Sequence, residues 1–134
     1  MNTRLLLVAS SVVMSFAGLA ASFAPVELLG ALKVIPTEPL PVLMQLLGAL
    51  YLAFAIANWT AKDSLIGGIY ARPLALGNCL HFAMGALALA KYEWVAGYRG
   101  PLVGVLAVYA IFALGFGYLV FGRGAACAVQ KKTG

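Results

Sequence analysis

One histidine and two asparagines are the residues of this chain with the most chemical reach. His81 is the single histidine in 134 residues, and an imidazole with a reference pKa near neutrality can take or give a proton under ordinary conditions. Asn58 and Asn78 carry amides that both donate and accept hydrogen bonds. Tyr51 and Tyr118 add hydroxyls, and Arg72 adds a fixed cation. Such a set suits binding or orienting a small molecule, with His81 as the one acid or base. No CxxC, no His and Cys pattern of metal-ligand spacing, no phosphate-binding glycine loop and no GxSxG occurs. The expectation is therefore no metal and no cofactor, and no motif assigns a catalytic residue.

These side chains must be placed by apolar elements. Four hydrophobic runs, 5–24, 40–61, 74–90 and 102–121, occupy most of the chain. A hydrocarbon core about 30 Å thick needs roughly 20 apolar residues as helix, so the runs predict an all-α, polytopic membrane protein built as one four-transmembrane-helix bundle over 1–134. Composition agrees, with 63% hydrophobic and only 10% charged residues, far from the quarter or so of charged residues in soluble domains. The net charge of +5 then reports topology and implies no nucleic acid.

Counted on alternate sides of the runs, Arg4, Lys62, Arg72, Arg123, Lys131 and Lys132 oppose Lys33, Lys91 and Arg99. This excess predicts cytoplasmic termini in an inner membrane. Prolines 39, 41, 73 and 101 fall at run starts, where a missing amide hydrogen costs nothing. Residues 25–32 predict a short surface helix broken at Gly30 and Pro36. Residues 91–101 read as an outer connection, with Tyr92, Trp94 and Tyr98 as headgroup anchors. Residues 65–70 read as an apolar piece folding back after a polar turn at Lys62 and Asp63, with Asp63 and Arg72 as an ion pair closing the loop. The end of the first run, Ser22-Phe23-Ala24, has the small residues a signal peptidase reads. Its length, and Ser11, Ser15, Gly18 and Ser22 at helix-packing spacing, favour a retained helix.

At 100° per residue, Gly48, Tyr51, Ala55, Asn58 and Lys62 share one face of the second run. Leu74, Gly77, Asn78, His81 and Gly85 share one face of the third. Gly104, Ile111, Gly115, Tyr118 and Gly122 share one face of the fourth. Small and polar faces of this kind turn inward when the lipid side is Leu, Ile, Val and Phe. Two uses follow. The polar residues either hydrogen-bond across helices as packing contacts or line a pocket, since an intramembrane ionisable residue is a functional candidate by default.

The motifs Gly48-Ala49-Leu50-Tyr51, Asn58-Trp59, Gly67-Gly68-Ile69-Tyr70-Ala71-Arg72-Pro73, Gly77-Asn78 and His81-Phe82 resemble small, uncharacterised, broadly DoxX-like four-helix membrane proteins of bacteria. That resemblance implies an inner-membrane four-helix fold and no particular reaction. The leading expectation is an integral membrane protein binding a small apolar or amphipathic molecule, or a membrane partner, in a pocket lined by Tyr51, Asn58, Arg72, Asn78, His81 and Tyr118. The alternatives are a membrane-embedded enzyme acting on a lipid-soluble substrate through His81, and an assembly subunit. Expected partners are membrane lipid, a small apolar ligand, and either a second copy of the chain or another membrane protein.

Overall fold

A computed structural model describes residues 3–63, 71–96 and 101–122. The described residues are helical almost throughout, without a strand. Four of the helices are long and apolar enough to cross a membrane. They divide at Asp63 into two compact units, each an antiparallel helix hairpin.

The first unit holds α1 (Thr3–Phe23), α2 (Pro25–Ala31) and α3 (Leu40–Ala61). At 21 and 22 residues, α1 and α3 are each about 30 Å long. On α1 the buried residues Leu7, Ser11, Met14, Gly18 and Ala21 alternate four and three apart, as a two-helix seam requires, with Ser10 buried beside them. On α3 the seam is Gly48, Ala55 and Asn58. Most of these side chains are small, so the two backbones come close. A Cβ on Gly48 would stand 2.7 Å from the Ser22 amide nitrogen and 2.8 Å from the Gly18 carbonyl oxygen. One on Gly18 would stand 2.8 Å from Leu52 Cγ and 3.0 Å from the Gly48 oxygen. Glycine is required at both positions because any side chain would push the helices apart.

The short helix expected after the first run is present as α2, with Pro25 in its first turn and Pro25 and Leu29 buried. Gly30 does not break it. The helix runs to Ala31 and is stopped two residues on by Lys33, whose φ of 58° is left-handed. There the Val34 amide donates to the Leu29 carbonyl and the Lys33 amide to the Gly30 carbonyl, both at 2.9 Å. These two bonds form a Schellman motif that satisfies the last carbonyls of the helix. Pro36 then follows beyond the stop.

The second unit holds α4 (Ala71–Ala96) and α5 (Pro101–Gly117), the latter continued by a π-helical turn, Tyr118–Gly122. At 26 residues, α4 exceeds the apolar run 74–90 at both ends. Residues 91–96, expected in a connection, are its last turns, because no glycine or proline interrupts the chain between Gly85 and Gly97. Lys91, Tyr92 and Trp94 are therefore set on a helix, all exposed. A cluster of stacked and edge-on rings joins α4 to α5. Phe82 lies 4.8 Å from Phe112, 5.9 Å from Phe116 and 5.3 Å from Tyr109 between ring centroids. Gly85 opens the space that the Tyr109 ring fills. The expected fold-back of 65–70, Tyr98, Arg99 and the tail with Cys127 lie outside the described residues.

The seam predicts opposite outcomes for two glycines. Gly48→Ala should destabilise the protein by about 1–3 kcal/mol through overpacking, seen as a lower thermal midpoint in detergent. Gly30→Ala meets nothing within 4 Å and should stabilise α2 by about 0.5–1 kcal/mol.

Candidate functional site

The polar residues expected to form a pocket have different local fates. Asn58 is completely buried, and its amide nitrogen donates to Ser10 Oγ at 3.1 Å and approaches Met14 Sδ at 3.8 Å. Ser10 Oγ in turn donates to the Leu7 carbonyl at 3.0 Å. One turn away, Ser11 Oγ donates to the Ala55 carbonyl at 2.7 Å, crossing from α1 to α3. These bonds clip the two helices together on the Asn58 side of the glycine contact. Tyr51 lies two turns from Asn58 on the same face of α3 and is half-buried.

On α4, Asn78 is completely buried, and its amide nitrogen donates back to the Leu74 carbonyl at 2.9 Å. His81 is half-buried and packs against aromatic rings, 5.2 Å from Phe82 edge-on and 5.7 Å from Tyr109. The ring acts as one member of the cluster that joins α4 to α5. Arg72 is exposed at the start of α4. Tyr118 is 58% exposed, with its ring lying over Gly122. Among the described residues, no three His, Cys, Asp or Glu side chains gather where a metal ion could be held.

The concavity on the first unit lies elsewhere. A groove of about 360 Å³ opens along α1 and α3, with Ser11, Val12, Ser15 and Phe16 from the former and Ala55, Ile56 and Trp59 from the latter. Ser11, Ser15 and Ala55 make its floor because their side chains are short. Phe16 and Ile56, 71% and 65% exposed, and Trp59 stand as walls. Its volume is at the lower end of small-molecule sites, and its lining is mostly apolar with two hydroxyls.

Charge gathers beyond the Trp59 end. Lys62 Nζ stands 3.9 Å from the Trp59 ring centroid and donates to the Trp59 carbonyl at 3.3 Å. Asp63 receives Arg4 Nε at 3.3 Å and Lys62 Nζ at 3.5 Å. The Arg4–Asp63 ion pair thus ties the two ends of the first hairpin. Both Arg4 and Asp63 side chains are about two-thirds exposed, so the pair adds at most about 1 kcal/mol to stability.

Ser11 and Ser15 were legible in the sequence as helix-packing residues, and Trp59 only as part of the Asn58-Trp59 motif. Their shared groove was not, because it depends on the register between α1 and α3. Compared with protein-family models, the chain matches none, and neither a curated protein nor a solved structure matches it.

The Asn58 cluster generates a double-mutant test. Asn58→Leu and Ser10→Ala should each destabilise by about 0.6 kcal/mol, the usual worth of an interhelical hydrogen bond in a membrane protein. In a thermal or chaotrope titration the double variant should lose less than the two single losses added together.

Proposed function

We propose that this chain is an integral protein of the bacterial inner membrane, crossing it four times with both termini cytoplasmic, that binds a small apolar or amphipathic molecule. The observation that carries this reading is the groove on α1 and α3, with short side chains on its floor, aromatic and branched walls, and a charged end. Asn58 is engaged with Ser10 and Met14, which favours a part in holding the hairpin. His81 is surrounded by rings, which favours packing over proton transfer. The likeness to DoxX-like proteins rests on the sequence motifs and adds the bacterial inner membrane to the reading.

Ligand binding in the groove is tested by filling it. Native mass spectrometry of the protein extracted in mild detergent should find a retained small molecule that Ser15→Leu loses, while helicity and thermal midpoint stay near those of the unsubstituted protein. Retention of the same mass by Ser15→Leu would place binding elsewhere. The orientation has its own measurement. A fluorescent protein that matures only in the cytoplasm should be bright when fused to the C-terminus and an exported phosphatase should be inactive there, as the Lys and Arg asymmetry requires.

A further inference from the structure

Building on the groove reading above, we propose that the occupant is one acyl chain of an anionic phospholipid of the bilayer, with its phosphate set against Arg4 and Lys62. Trp59 joins the two halves of this site. Its ring is a wall of the groove, and the same ring carries the Lys62 ammonium 3.9 Å from its centroid. The bond from Lys62 to the Trp59 carbonyl holds that ammonium at the groove's end. Arg4 reaches the same end from α1 through Asp63.

Charge and depth both select the occupant. Among the described residues at this end, Arg4 and Lys62 face the carboxylate of Asp63, and these three side chains sum to one positive charge at the end of an apolar groove. The complement is a molecule with an apolar chain and an anionic head. From Arg4 to Phe16 is twelve residues of helix, about 18 Å, close to half of a hydrocarbon core about 30 Å thick. A chain hanging from a headgroup at Arg4 would therefore reach the far end of the groove near the bilayer midplane. Trp59 lies two residues before the end of α3, about 3 Å of rise, which puts the cation and the ring at headgroup level. Basic residues at this level attract anionic lipid.

The test uses the full chain with Trp94→Phe. The chain has two tryptophans, and Trp94 is 90% exposed, so its replacement leaves Trp59 as the sole reporter with little effect on packing. The protein is reconstituted in phosphatidylcholine vesicles containing a minor fraction of either phosphatidylglycerol or phosphatidylcholine brominated on the acyl chain. Brominated phosphatidylglycerol should quench Trp59 as though bound about fivefold more tightly than brominated phosphatidylcholine, as one net charge at a membrane surface implies. Arg4→Gln removes the net charge and should abolish the preference; Asp63→Asn doubles that charge and should enlarge it. Equal quenching by the two lipids, or a preference unmoved by both substitutions, overturns the proposal. Failure of the groove reading looks different, since quenching by both lipids would then be the same in Ser15→Leu as in its parent.

Discussion

The close approach of α1 and α3 at Gly18 and Gly48 is the constraint on which the first unit depends. In hydrocarbon, helices gain nothing from hiding apolar surface, because lipid is as apolar as leucine, so van der Waals contact and interhelical hydrogen bonds must supply the association. Two glycines that leave no room for a Cβ between the helices maximise that contact. They also set the register that brings Ser11 opposite Ala55 and Ser10 opposite Asn58. The Arg4 and Asp63 pair at the open end of the hairpin is a consequence of the same register. So is the groove, which exists because a seam built of small residues leaves shallow space beside it.

The second unit solves the same problem differently. Its α4 and α5 meet through large rings, with Phe82 at the centre of Tyr109, Phe112 and Phe116. Ring pairs of this geometry add about 0.5–1.5 kcal/mol each beyond their buried area. Glycine serves here as a socket, since Gly85 receives the face of Tyr109. His81 takes part as another flat ring, edge-on to Phe82 and tilted against Tyr109.

Four apolar helices were legible from run length alone, because a membrane-spanning helix is specified by hydropathy and little else. The helix at Pro25–Ala31 was legible from Pro25 and its apolar pattern, but its end was not. Gly30 looked like the natural stop, whereas the left-handed residue is Lys33, and local hydrogen bonds of the Schellman motif decided the position. The far end of α4 was misread for a related reason. Charged and aromatic residues at 91–94 mark where a helix leaves the hydrocarbon, which is a statement about solvent; they carry no signal to stop helical geometry. Among the six residues singled out for a pocket, burial was legible at Asn58 and Asn78 from their helical faces. Their partners were not, since a face says which way a side chain points and the register between helices says what it meets.

That distinction decides how polar residues in such a chain are best weighed. A buried amide is conspicuous in an apolar sequence, and several kcal/mol stand against leaving it unsatisfied in lipid. The same penalty drives it to find a partner inside the protein, as Asn58 does in Ser10 and Asn78 in the Leu74 carbonyl. A group engaged in this way has spent its strongest interaction before any ligand arrives. The residues that border open space are the inconspicuous ones, serines on a groove floor and a tryptophan at its rim. In a helix pair held by small residues, the residues most noticeable in the sequence are those that hold the pair, and the space for a guest lies beside them.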